Sequence, residues 1–137
     1  MNKKEPTLIS LPKFNDDRGN LVFLENNNHI PFEIKRAYFL YDVPKGSDRG
    51  AHAHKALHQF IIAIHGSFEI SINDGLKESF FTMDSPSEGL YVPPMRWRDL
   101  KNFSLDAVCM VFASDFFDES DYIRDFNNFL KITNSRE

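Results

Sequence analysis

Gly46-Ser-Asp-Arg-Gly-Ala-His52-Ala-His54-Lys-Ala-Leu-His-Gln59, running on through Phe60 to Gly66, is the stretch around which the chain is organised. In a β-strand, residues i and i+2 point to the same face. His52 and His54 therefore project together into whatever that face encloses. The segment that follows, Gln59-Phe-Ile-Ile-Ala-Ile64, is β-rich and apolar, so the histidines lead into a buried strand. Such a pair can hold a metal, move protons or fill space.

On the N-terminal side of this stretch, Ile34-Lys-Arg36-Ala-Tyr38-Phe-Leu40-Tyr41 reads as a strand. Period 2 puts Arg36, Tyr38 and Leu40 on one face and Ala37, Phe39 and Tyr41 on the other. Further back, Leu21 to Glu25 reads as a strand after the polar turn Asn15–Asn20. Leu8 to Leu11 is an edge strand or an arm that pairs with a second subunit. On the C-terminal side, Phe68 to Ile72 alternates apolar with polar, Asn73-Asp-Gly75 is a hairpin turn, and Glu78 to Met83 returns as its partner. Asp84 to Gly89 is a loop, Leu90 to Val92 a short strand stopped by Pro93-Pro94, and Leu105 to Phe112 the last strand. Apolar residues at 122, 126, 129 and 130 behind an acidic first turn predict a C-terminal helix over 118–130. Many short strands with frequent turns predict an all-β fold, a small antiparallel jelly roll with a ligand cavity at its mouth.

With 137 residues the chain is expected to form one domain over its whole length. Its 14 phenylalanines suit pleated, half-buried surfaces. A net charge of −4 argues against a nucleic-acid module, whose footprint is basic. The single cysteine, Cys109, lies in an apolar run and reads as a core residue. Met1 to Pro6 leads into no apolar region of a secretory signal, and no apolar run is long enough to span a membrane. The expected location is cytoplasmic.

The histidine stretch resembles the first signature of the cupin superfamily, which implies a cupin jelly-roll barrel. Gly46, His52, His54, Gln59 and Gly66 fall on its spacings, while Pro93, Met95, Arg98 and Asn102 fall on those of the second signature. Metal-binding cupins carry a glutamate and a third histidine where this chain has Gln59 and Arg98. Arginine is always cationic and has no lone pair to donate. No functional metal is expected.

The chain as a whole is similar to the cupin-fold 3,4-ketoisomerases of dTDP-4-keto-6-deoxyglucose. The matching pieces are Asp16-Asp-Arg18-Gly19-Asn-Leu21, Ile34–Tyr38, Arg49-Gly50-Ala-His52-Ala-His54-Lys55, Val92–Trp97 and Asp121-Tyr122-Ile-Arg-Asp125. The resemblance implies transfer of a keto group from C4 to C3 of the sugar, in deoxysugar biosynthesis, without a cofactor. It also implies a homodimer with exchanged N-terminal strands. The Asp-x-Arg-Gly turn is shared with dTDP-sugar 3,5-epimerases, which are an alternative, as is a non-catalytic sugar-binding cupin.

Under that reading His52 and His54 are the proton-transfer pair, because imidazole titrates near neutrality. Tyr38 either donates to the developing oxyanion or is an aromatic of the barrel wall. Arg98 stabilises the enolate, binds a sugar hydroxyl, or is a surface cation on a loop; Gln59 lies among the substrate-binding candidates. Arg18 and Arg49 are the candidates for the diphosphate, with Lys55 and Arg36 behind them. The resemblance implies Phe23 and Glu25 for thymine. Trp97 walls the pocket or anchors the core.

Overall fold

The computed structural model describes residues 5–135; Met1 to Lys4, and with them most of the N-terminal segment read above for a leader, lie outside this range. The strands are β1 (Thr7–Ser10), β2 (Lys13–Asp16), β3 (Gly19–Val22), β4 (Arg36–Leu40), β5 (Arg49–His54), β6 (Gln59–His65), β7 (Phe68–Asn73), β8 (Glu78–Met83), β9 (Glu88–Val92), β10 (Trp97–Lys101), β11 (Val108–Ala113) and β12 (Tyr122–Ile123). A 3-10 turn, Glu119–Asp121, precedes β12, and helix α1 (Phe126–Ser135) follows it. The fold is all-β with one short C-terminal helix.

Ten of the strands form two five-stranded sheets, ordered β1-β9-β6-β11-β4 and β12-β5-β10-β7-β8. Every strand pair in them is antiparallel. The remaining two strands, β2 and β3, form a hairpin. Alternation along β6 shows how the layers are built. Ile61 and Ala63 point between the sheets and pack with Phe68, Ile70 and Ile72 of β7, Leu100 of β10 and Val111 of β11. Phe60 and Ile62 point the other way, under Leu11, Ile30 and Phe32. A strand covered on both faces reads as a continuous apolar run, which is what Phe60 to Ala63 shows; Ile64, near the end of β6, is 43% exposed. A third cluster closes the outer face of the second sheet, where Ala53, Trp97 and Ile123 meet Phe129 of α1.

Three expectations are corrected. The helix does not begin at residue 118: Asp118 caps the 3-10 turn by accepting from the Ser120 N–H, and Tyr122 and Ile123 pair with His54 and Ala53 of β5. Sheet pairing takes residues whose spacing alone is helical, and α1 starts only at Phe126. The segment Trp97–Lys101, not recognised as a strand in the sequence, is a central one, flanked by β5 and β7. The polar turn read over Asn15–Asn20 shrinks to Asp17 and Arg18, because Asn15 and Asp16 pair with Asn20 and Gly19, and the strand read over Leu21–Glu25 runs instead over Gly19–Val22. In this chain β1 pairs with β9 of its own sheet. Among the described residues no helix is long and apolar enough to cross a membrane.

Candidate active site

Between the two sheets, at one end, lies a cavity of about 310 Å³. The first sheet contributes Arg36, Tyr38 and Leu40 of β4, Gln59 and Ile61 of β6, and Val111 of β11. These are the inward positions that period 2 predicts. From the second sheet come Arg49, Gly50 and His52 of β5, Arg98 and Leu100 of β10, and Tyr122 of β12, with Arg124 at the end of that strand.

The imidazoles of β5 touch: His52 Nε2 lies 3.1 Å from His54 Nε2. Both rings pack against Tyr122, at centroid distances of 5.0 and 4.4 Å. His52 lines the cavity and His54 is fully buried behind it. On its far side His54 Nδ1 lies 3.0 Å from Asp121 Oδ2. Burial, reinforced by the Arg98 charge, pushes the His52 imidazole down to about 3 and that of His54 down to about 2. Both rings are neutral at neutral pH.

Arg98 is no surface cation. It stands opposite His52 in the β10–β5 register, points inward and is 1 % exposed. Burial lowers its pKa to about 10, so it still carries its charge at neutral pH. Its Nη1–H donates to Gln59 Oε1. Gln59 Nε2 in turn donates to the Tyr38 hydroxyl at 3.0 Å. The two positions at which metal-binding cupins place further ligands thus hold an amide and a guanidinium bonded to each other. That donor set does not fit a divalent cation, because a fixed positive charge sits where a ligand is needed. Among the described residues no group of three or more His, Cys, Asp or Glu side chains is placed to hold a metal.

Of the sequence-predicted residues, the fold gathers Tyr38, His52, His54, Gln59, Arg36, Arg49 and Arg98 at this one place. Trp97 is not among them. Neighbours in a strand face opposite ways, so with Arg98 inward Trp97 faces outward, where its ring meets Phe126 and Phe129. Arg18 lies apart, exposed on the β2–β3 hairpin and paired with Asp16 at 2.7 Å. Phe23 stacks on Phe14, and Glu25 accepts from the Asn28 side-chain amide. Lys55 is exposed, and its backbone N–H donates to the Asp121 carbonyl.

Sequence reasoning did not single out Tyr122 and Arg124, which line the cavity. Arg124 stacks on the Tyr122 ring at 4.2 Å and is held by Glu119 through two bonds of 2.6 and 2.9 Å. The block Asp121–Asp125 carried the signal, but its assignment to a helix hid the alternation that aims Tyr122 at the histidines.

Residues 4–134 match the family described as "FdtA: WxcM-like, C-terminal". A TDP-4-oxo-6-deoxy-alpha-D-glucose-3,4-oxoisomerase of Aneurinibacillus thermoaerophilus is 46% identical over 127 residues, covering 93% of this chain and 91% of that protein. Among solved structures, a 3,4-ketoisomerase from Helicobacter canadensis superposes with a TM-score of 0.93 at 43% identity, covering 96% of this chain and 99% of that one. A histidine-to-asparagine mutant of the 3,4-ketoisomerase QdtA from Thermoanaerobacterium thermosaccharolyticum, in complex with TDP-4-keto-6-deoxyglucose, gives 0.94 at 35% identity, covering 98% of each chain.

Proposed function

The chain belongs to the FdtA, WxcM-like family, and from that membership and the paired imidazoles of its cavity we propose that it is a 3,4-ketoisomerase of TDP-4-keto-6-deoxyglucose. The product is the TDP-linked 3-keto-6-deoxyhexose. The identity to named 3,4-ketoisomerases over nearly the whole chain supports the substrate class. The observation that carries the chemistry is the contact of His52 with His54 at the wall of a cavity that also holds Arg98.

The reaction needs a base for the C3 proton, donors for the oxygen that becomes negative, and an acid that returns a proton to C4. In the proposed mechanism His52, which faces the cavity, takes the C3 proton, and the electron pair left behind forms the enediolate. Passage of the O3 proton to O4 moves the charge to O3. Reprotonation at C4 then leaves the ketone at C3. One carbon is oxidised as its neighbour is reduced, so the step balances without an external oxidant. Tyr38 serves as donor to the enediolate, and the charge of the buried Arg98 stabilises it. Arg36, Arg49 and Arg124 supply cations for the diphosphate, since a guanidinium matches phosphate oxygens.

The proposal includes one cupin-like domain assembled as a homodimer. In support, the β2–β3 hairpin exposes Phe14 and Leu21 at 61% and 58%, more apolar surface than a free hairpin needs. A partner subunit reaching across would give Arg18, Phe23 and Glu25 a cavity to serve. Conversion of TDP-4-keto-6-deoxyglucose, followed by NMR, tests the activity. Turnover surviving in the His52→Asn, His54→Asn double variant would remove the histidine mechanism.

A further inference from the structure

The two imidazoles are one part of a longer hydrogen-bonded line. His52 Nε2 meets His54 Nε2 at 3.1 Å, and His54 Nδ1 meets Asp121 Oδ2 at 3.0 Å. The far end is fixed at three points. Asp121 Oδ1 accepts from the Ala56 N–H at 2.8 Å, its carbonyl accepts from the Lys55 N–H at 2.9 Å, and its own N–H donates to the Asp118 carbonyl at 3.1 Å. The carboxylate is therefore clamped to the end of β5, against the ring it faces.

This geometry fits one arrangement of the protons. A carboxylate oxygen only accepts, so neutral His54 carries its hydrogen on Nδ1 and leaves Nε2 bare. Two bare nitrogens 3.1 Å apart would repel, so His52 carries its hydrogen on Nε2 and leaves Nδ1 free. We propose that Asp121 is a positioning residue that holds this tautomer chain and lets His52 act as a base through His54. The proposal rests on the isomerase reading above.

The step balances as follows. The C3–H bond breaks and an N–H bond forms at His52 Nδ1. The His52 Nε2–H bond breaks as the same proton forms a bond to His54 Nε2. His52 ends neutral in its other tautomer, and the positive charge rests on His54 beside Asp121. Reversing the line returns a proton to C4. The charges around His54 explain why the anion is needed. Arg98 from β10, Arg36 from β4, Arg124 beyond β12 and His52 itself all oppose a positive His54, on top of its burial. Without the Asp121 carboxylate, a proton passed to His54 would face these cations with no anion in contact with its ring; Glu119 favours charge only on His52.

Two measurements test the assignment. In the first, ¹⁵N NMR of the wild-type protein reads the histidine tautomers. Nδ1–H on His54 and Nε2–H on His52 are expected, and a proton on His54 Nε2 overturns the proposal whatever the enzyme turns over. In the second, Asp121→Asn and Asp121→Glu are compared with wild type for kcat, KM and TDP binding. For Asp121→Asn, kcat is expected to fall about 100-fold or more with KM and TDP affinity nearly unchanged, and Asp121→Glu is expected to retain more activity. An Asp121→Asn enzyme with kcat within about twofold of wild type overturns the proposal. Wild-type protein that fails to convert TDP-4-keto-6-deoxyglucose would sink the isomerase reading, and the tautomers would still decide the role of Asp121. The tautomers also decide it if Asp121→Asn does not fold.

Discussion

The guanidinium of Arg98 donates to the side-chain oxygen of Gln59, and this bond fixes which way the Gln59 amide points. With its oxygen engaged, Gln59 presents its NH₂ to Tyr38 and donates to the phenol oxygen at 3.0 Å. Tyr38 accepts there, so its own proton is free to be donated to a ligand in the cavity. Gln59→Glu reverses this arrangement. A carboxylate accepts from the phenol and turns its proton away, while still pairing with Arg98. The expected outcome is a kcat lowered about 10- to 100-fold with TDP binding retained. Adding Tyr38→Phe should cost little more. Kinetics of the two single variants and the double variant check it, and additive losses would separate the two residues.

The acid limb of the pH–rate profile should lie well below the ordinary histidine value. His52 is held near 3, by burial first and by the Arg98 charge second, and stays unprotonated as the pH falls through 6. Arg98→Met keeps the bulk, removes the second cause and should move the limb upward. Profiles of kcat/KM for both proteins read this directly. Met also leaves the Gln59 oxygen without its donor, at about 1–3 kcal/mol of stability.

Stability should fall as the solution is acidified. In the unfolded chain each histidine binds a proton near pH 6.5, whereas in the folded protein His52 and His54 do so only near 3 and 2. Between those values the unfolded state holds more protons, so their contribution is complete above pH 6.5 and is lost as pH drops toward 3. Each contributes a slope of at most about 1.4 kcal/mol per pH unit. Partly exposed Asp and Glu side chains with lowered pKa, such as Asp74, act in the same direction. Urea melts of wild type and of the His52→Asn, His54→Asn variant from pH 7 to 4 should diverge, the variant showing the flatter dependence.

Gly46 and Gly66 occupy equivalent punctuation in the motif but are not equally replaceable. Both have positive φ, +85° and +69°. A Cβ at Gly46 meets nothing within 4 Å, whereas one at Gly66 would stand 2.8 Å from the Ala107 Cα. Gly46→Ala should cost only the left-handed strain, about 1–2 kcal/mol. Gly66→Ala should cost clearly more, because the β6–β7 turn must move off the backbone of Ala107. Denaturant titrations of the two variants give the comparison.

What the sequence made legible follows period 2. The Arg36–Tyr38–Leu40 face, the doubly covered run of β6 and the paired histidines of β5 all advertise their direction by alternation. Strand β10 does not, because its inward residue is a charged Arg98 and its outward residue is Trp97, the reverse of the usual pattern. That inversion occurs where the cavity needs a buried cation. The segment around Tyr122 was hidden for another reason. Its apolar spacing fits a helix, and only contact with β5, distant in sequence, makes Tyr122–Ile123 a strand. The Asp121 contact with His54 spans 67 positions and leaves no local trace.

The most direct test of the account is ¹H NMR of TDP-4-keto-6-deoxyglucose incubated with the protein in D₂O. The account predicts that the carbonyl moves to C3, that C4 carries hydrogen and a hydroxyl, and that H5 remains in place. Deuterium entering at C5 with the C4 ketone retained would contradict it and make the protein an epimerase.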